Sequence, residues 1–257
     1  MHSSKTMRPP RSGAKPNGVP VLLDRAEELV VYLRTLSPRQ LSHIMGISED
    51  LATKTQEQYA TWTTAADRQA PAAASFVGDI YSGLRIDSFD AADRRYADTH
   101  LRILSGLYGI LRPFDGITPY RLEMGYRLPP GKYSNLYTFW GTSIADQLPS
   151  SGRIINLAAG EYSKTVVKYV DADRVVSPKF LTVDPATNQP RFVVVHAKIA
   201  RGAFARWLIT KRVTDTPAAI CEFNEIGYRY DEALSRPCEP VFVCQEFGGK
   251  GLSVRLT

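Results

Sequence analysis

Helical and strand periodicities follow one another along residues 22–243 without an internal repeat and without strict alternation, and this mixture limits the fold more than any single motif does. Apolar residues at 22, 23, 26, 29, 30, 33 and 36 form one stripe and predict an amphipathic helix over Leu22–Leu36. Ser37-Pro38 restarts the chain as a capped first turn, and Gly46 closes the helix that follows. Ser48 caps a third helix with Leu51 and Tyr59 on its inner face. Asp90 opens the longest predicted helix, Asp90–Leu111, with Tyr96, His100, Ile103, Leu104 and Leu107 near one side. Arg153–Ala158 and Arg191–Ala197 read as buried strands, Ala203–Lys211 as a helix and Pro240–Val243 as a short strand. The sum is a mixed α/β (α+β) protein. No linker-like change of composition divides it, so residues 1–257 are read as a single compact domain in which 8–20 form a Pro/Gly-rich basic loop.

Charge is distributed unevenly. The formal net charge is +6, yet Glu49–Asp93 holds eight acids against three bases. Between Pro185 and Thr214 there are six bases (Arg191, Lys198, Arg201, Arg206, Lys211, Arg212) and no acid. Such a stretch suggests one basic face and an anionic partner, or simply a solvated helix flank.

Three segments could carry chemistry. In His100–Pro113 (HLRILSGLYGILRP), Gly106 and Gly109 permit a tight turn of the kind a helix-hairpin-helix uses to present backbone amides to phosphate. The alternative is a glycine-containing helix end that packs Leu107 and Tyr108 into the core. In Arg112–Arg127, Arg112, Asp115, Tyr120, Arg121, Glu123 and Arg127 crowd a loop between prolines and a glycine; they either pair among themselves or grip an anion. In Asn156–Lys164 (NLAAGEYSK), small residues after a predicted strand place Gly160 at a sheet rim, with Glu161 a candidate acid or base and Lys164 a candidate anion contact.

Much chemistry is excluded. The glycine spacing fits neither a P-loop nor a dinucleotide fingerprint, and no Gly-x-Ser-x-Gly or His-Glu-x-x-His occurs. The histidines (His2, His43, His100, His196) are scattered, and His100 is expected as a hydrogen-bonded core residue. Cys221, Cys238 and Cys244 suit neither a disulfide framework nor a zinc site, and Cys244 is expected buried and inert. No metal and no cofactor is expected. With no long apolar run and no signal-peptide core, the expectation is a soluble, cytoplasmic protein without a membrane partner.

Taken together, Phe76–Leu84 (FVGDIYSGL), His100–Asp115, Pro119–Gly125 (PYRLEMG), Leu136–Gly141 (LYTFWG), Ile155–Lys164, Ala197–Gly202 (AKIARG) and Gly227-Tyr228 resemble the YaaA family of bacterial peroxide-stress proteins in order and spacing. The resemblance implies a cytoplasmic protein of one unusual mixed α/β fold with a helix-hairpin-helix element and a positively charged cleft. It further implies DNA binding, protection from hydrogen peroxide and restraint of intracellular iron. Carried over by position, the hairpin falls on Gly106–Gly109, and the cleft draws on Lys5, Arg112, Arg121, Lys164, Lys198 and Arg201.

This chain departs from the family pattern in several places. The short apolar strand that usually precedes a Ser-Pro-x-Lys-Thr-like segment is missing, so an edge strand is absent or residues upstream were lost. Ala159 stands where serine is usual, Ile199 and Cys244 where basic residues are common, and Ile226 where an acid is. Two functions follow as expectations. One is sequence-independent DNA binding through phosphate contacts, without a cofactor. The other is an enzyme acting on an anionic or nucleotide-like small molecule, with Glu161 as acid/base and Lys164, Arg121 and Arg201 holding the anion.

Overall fold

The computed structural model describes residues 1–8, 15–129, 133–213 and 217–251. Part of the predicted basic loop, 9–14, lies outside them. After the short strand β1 (Thr6–Met7) come three helices, α1 (Leu23–Leu33), α2 (Pro38–Met45) and α3 (Glu49–Ala60). Their ends obey local chemistry. Ser37 and Gln40 form a reciprocal capping box, Gly46 turns out of α2 at φ +60°, and the Ser48 hydroxyl accepts from the Leu51 N–H. Tyr59 is fully buried as expected, but Leu51 remains on the outer surface of α3 while Ala52 and Thr55 turn inward.

The chain then makes β2 (Ala70–Pro71), α4 (Ala72–Ser75), β3 (Phe76–Val77), α5 (Asp79–Leu84) and α6 (Ala91–His100). Asp90 caps α6 through the Asp93 N–H at 2.7 Å, but the helix ends at His100 instead of continuing to Leu111. The next residues form an antiparallel hairpin, β4 (Ile103–Ser105) and β5 (Gly109–Leu111), with Ser105 opposite Gly109. The continuous apolar run there suits a buried strand as well as a helix, and tertiary pairing decides. One flank of β4 is taken by β5 and the other by residues 1–3, where His2 bridges Leu104 in parallel and the Ser3 N–H donates to the Leu104 carbonyl at 2.8 Å. No second helix follows the glycines, so a helix-hairpin-helix does not stand at Gly106–Gly109. His100, expected in the core, lies exposed on α6 and stacks on Tyr96.

Beyond β6 (Gly116–Ile117) and α7 (Leu136–Trp140), β7 (Ile154–Ile155) precedes α8 (Gly160–Val167), and β8 (Val175–Val176) pairs with β7 in parallel. The remaining elements are β9 (Lys179–Val183), β10 (Pro190–Arg191), α9 (Val194–Thr210), α10 (Pro217–Cys221), β11 (Tyr228–Arg236) and β12 (Glu239–Cys244). Four strands join in the order β10-β9-β12-β11, with β12 parallel to β9. The predicted strand Arg191–Ala197 is mostly the first turn of α9: strand propensity is a weak preference beside the burial that a 17-residue helix gains. Phe204 and Trp207 of α9 pack with Phe180, Phe223 and Phe242 over the sheet. On its other side α9 crosses α5 at backbone contact: a methyl on Gly83 would overlap the Ile199 carbonyl, and one on Gly202 the Ile80 carbonyl. This crossing fixes where Lys198 and Arg201 emerge.

Candidate anion-binding cleft

The Pro119–Gly125 loop is laid down by the hairpin beneath it. Gly106 lies so close to the Leu122 carbonyl that any side chain would displace it, and the Tyr59 hydroxyl donates to the Arg121 carbonyl. Buried Tyr120 anchors the loop start, its hydroxyl 2.6 Å from the Ser105 hydroxyl. At the loop end a Cβ on Gly125 would stand 2.8 Å from Glu161 Oε2, so glycine there lets α8 bring its carboxylate alongside. The glycines read as phosphate-binding therefore serve a different purpose. Gly106 and Gly109 are buried, and Gly109, at φ +70°, packs against the Trp140 ring. The Gly106 carbonyl accepts from the Trp140 indole N–H at 3.1 Å.

What the loop displays is a cluster of mixed charge. Lys5 Nζ is 2.9 Å from Glu123 Oε2, and Arg121 Nη1 donates to the Lys5 carbonyl at 3.3 Å. Arg121 Nε is buried without a hydrogen-bond partner. Burial, and then the neighbouring Glu123, push the Glu161 carboxyl above its usual range, while Lys5, the Gly125 N–H and Lys198 pull it back. Burial and Glu123 likewise raise the Tyr126 phenol to about 12 against the opposing pull of Arg121.

The floor of the cluster is the first segment of the chain. The Met1 amino group donates to the Arg102 carbonyl at 2.9 Å. Burial, with Arg201 nearby, lowers it to about 5. His2 stacks on Tyr162, and its Nδ1 accepts from the Ala159 N–H at 3.2 Å. Burial first, then the charges of the Met1 amine, Arg201 and Lys198, depress it to about 3, so the ring is neutral. Arg201 is itself desolvated enough that burial lowers its own pKa. Neither an ion pair nor a hydrogen bond to its guanidinium occurs among the described residues. A guanidinium enclosed in this way, with other cations as neighbours and no carboxylate, is electrostatically incomplete.

Lys5, Arg121, Glu161, Lys198 and Arg201 thus come together. Lys164 sits exposed on α8, one turn beyond Glu161. Arg112 does not join them: at the open end of the hairpin it lies 3.8 Å from Asp98 and 3.9 Å from Asp115. Asn156 uses its amide on Ala158 and Ser177 as a turn-former. Of the six bases between Pro185 and Thr214, acids from elsewhere in the chain neutralise three: Asp184 meets Arg191, Glu225 meets Arg206 and Asp93 meets Arg212.

The departures from the family pattern fall differently. Ala159 is the N-cap of α8 and supplies no side-chain cap. Ile199 is buried behind Lys198, and Cys244 is buried with its thiol directed to the Ile226 carbonyl. The sequence assigns no site role to Tyr126 or Tyr162, shows His2 only as one of four scattered histidines and marks Tyr59 only as a core residue of α3. Tyr162 and Tyr126 lie in or beside the shared motifs, but nothing local marks His2 or Tyr59 for a site. Among the described residues no three His, Cys, Asp or Glu side chains are grouped to hold a metal ion, and no helix is long and apolar enough to cross a membrane.

Comparison with known proteins agrees with this architecture of shared motifs. The family model for peroxide stress protein YaaA matches residues 1–234. A UPF0246 protein of Salinispora tropica is 61% identical over 255 residues, covering 99% of this chain and 97% of its own. UPF0246 proteins of Cupriavidus metallidurans and Shewanella denitrificans are each 41% identical, over 247 and 237 residues, covering 91% and 88% of this chain and 92% and 90% of theirs. With the family model spanning nearly all of the fold and relatives of full length at this identity, the chain belongs to the YaaA family of peroxide stress proteins.

Proposed function

We propose that this protein protects against peroxide by holding the phosphate backbone of DNA without reading its sequence. Arg201, Lys198 and Arg121 make the inner contacts, with Lys5 and Lys164 at the rim. The observation that carries this reading is the half-buried, desolvated Arg201 guanidinium, which has no acid partner among the described residues: an external phosphate oxygen supplies the missing charge and hydrogen bonds. Each phosphate so covered releases its condensed cation, and an iron ion held there would leave with it. Restraint of iron-driven damage at DNA then needs no iron site on the protein. The test is binding to a fluorescent duplex at about 50 and about 200 mM salt. Three phosphate contacts predict that affinity falls about 40-fold across that range. Saturable binding with no salt dependence, or no binding by folded protein at the lower salt, overturns the reading.

A second reading rests on a different observation, the Glu123–Glu161 pair set among cations. A surface that only grips phosphates gains nothing from carboxylates in its centre. An enzyme acting on a small anionic or nucleotide-like molecule would use Glu161 as acid/base, with Arg121, Arg201 and Lys164 on the anion. A panel of nucleotides in thermal unfolding separates the two, because a ligand bound to the folded state raises its melting temperature. A shift with a mononucleotide, in protein that ignores duplex DNA, favours the enzyme.

A further inference from the structure

A cavity of about 440 Å³ lies between α10 and the β11–β12 hairpin. Two of the chain's three cysteines, Cys221 and Cys238, line it together, with Arg153, Arg236 and Glu232 among the other lining residues. Both thiols are free and half-buried. Cys221 ends α10, whereas Cys238 occupies the second position of the tight turn Pro237-Cys238 that joins the paired residues Arg236 and Glu239. Its φ is +60°, a conformation that such a turn normally gives to glycine or asparagine. A cysteine held there carries backbone strain that glycine would remove. The turn is also pinned in place: the Ser177 N–H donates to the Cys238 carbonyl at 2.8 Å, and the Cys238 thiol reaches the Asp173 carbonyl at 3.7 Å.

We propose that Cys221 and Cys238 are a peroxide-oxidised thiol pair that closes to a disulfide across this cavity. The oxidant is hydrogen peroxide. The thiolate of one cysteine attacks an oxygen of the O–O bond, which breaks, leaving a sulfenic acid and expelling hydroxide. The second thiol attacks the sulfenic sulfur, the S–O bond breaks, and the departing oxygen takes up the protons as water. In total two thiols and one hydrogen peroxide become one disulfide and two waters. An external dithiol reverses it. Cys244 is the internal reference. It is fully buried, and burial together with Glu246 holds its thiol protonated, so it stays out of the reaction.

The experiment treats the full-length reduced protein with a few equivalents of hydrogen peroxide, blocks free thiols in denaturant and maps the peptides by mass spectrometry. Titratable thiols should fall from three to one, with an intramolecular link between Cys221 and Cys238 that a dithiol reverses. In Cys221→Ser no internal link should form, and dimedone should trap a sulfenic acid on Cys238. Circular dichroism before and after confirms that both proteins stay folded. Three free thiols after treatment, a link involving Cys244, or an internal disulfide in Cys221→Ser would overturn the assignment. The readout is thiol chemistry alone, so it stands or falls independently of the DNA-binding reading.

Discussion

Arg112 and Arg201 both belong to motifs shared with the family, yet the fold treats them in opposite ways. Arg112 is exposed, and Asp98 and Asp115 stand within ion-pair distance. Arg201 is half-buried and desolvated, has cations for neighbours and, among the described residues, no carboxylate within ion-pair distance. In sequence the first sits beside acids and the second in an acid-free stretch, but that stretch is a poor guide by itself, since Arg191, Arg206 and Arg212 within it find acids from other elements. What distinguishes Arg201 is its place in the fold. The α5–α9 crossing and the first residues of the chain lie beside it, and in the proposed reading a phosphate meets its charge.

The strongest way to break this comparison is to part the two helices. Gly202→Ala places a methyl on the Ile80 carbonyl, and backbone cannot move aside as a side chain would. We expect a loss of about 3 kcal/mol, seen as a fall of about 10 °C in thermal unfolding. Gly83→Ala, which meets the Ile199 carbonyl, should behave alike. Melting within about 2 °C of the parent in both variants would show that the crossing does not hold the site.

The floor beneath Arg201 gives a pH signature. The folded-state pKa of His2, about 3, is depressed from an ordinary value of 6.5, so the unfolded chain takes up the proton first as pH falls. The stability it contributes is complete above pH 6.5 and is lost as pH drops toward 3. Between pH 7 and pH 4 this amounts to ~3 kcal/mol. Asp115 acts in the opposite sense. Burial raises it to about 6, so its contribution is present below its unfolded value near 3.8 and is lost as pH rises through 6. His2→Gln should flatten the acid side of the stability curve. An unchanged slope in that variant would refute a neutral, buried His2.

The arginines themselves can then be exchanged for alanine. Arg201→Ala should leave the melting temperature unchanged or slightly higher, because an uncompensated charge is removed, while duplex affinity falls about tenfold at low salt. Arg112→Ala should do the reverse, costing about 1 kcal/mol of stability through the charge left on Asp98 and Asp115, with affinity within about twofold of the parent. Equal losses of affinity in both would erase the distinction between the two regions.

The sequence made α2 and α3 legible because their caps are local: Ser37, Gln40, Gly46 and Ser48 act within four residues of themselves. The hairpin was not legible, because Leu101–Leu104 is apolar enough for either period and its strand pairing comes from residues 1–3 and from β5. The same holds for Val193–Ala197, whose β-branched residues are overruled by the packing of α9. At the cleft, residue types together with the family resemblance pointed to Lys5, Arg112, Arg121, Glu161, Lys164, Lys198 and Arg201; the fold gathers five of them, leaves Lys164 exposed on α8 and turns Arg112 to Asp98 and Asp115. What Gly106 does, and that Gly125 matters at all, was hidden. Gly106 and Gly125 act by admitting a neighbouring loop or carboxylate, an approach that no local pattern encodes. The meeting of Cys221 and Cys238 at one cavity was hidden for the same reason, since only the β11–β12 turn carries Cys238 to the cavity that Cys221 also lines.

The smallest expected effect tests the acid half of the cleft. Glu161 is raised by burial and by Glu123, so its contribution to stability is present below the ordinary carboxylate range and is lost as pH rises through its folded-state value. Above that value the ionised carboxylate works against the fold beside a like charge. Glu161→Gln removes the charge and keeps the shape. Because the group is substantially solvated, screening holds the gain to about 0.5 kcal/mol. The variant should melt about 1–2 °C higher at pH 7.5 and at the parent's temperature near pH 4. In the DNA reading its affinity should rise, since a negative charge has left the phosphate path; in the enzyme reading turnover should collapse while ligand still raises the melting temperature. One substitution therefore separates a carboxylate that merely tolerates an anion-binding cleft from one that works inside it.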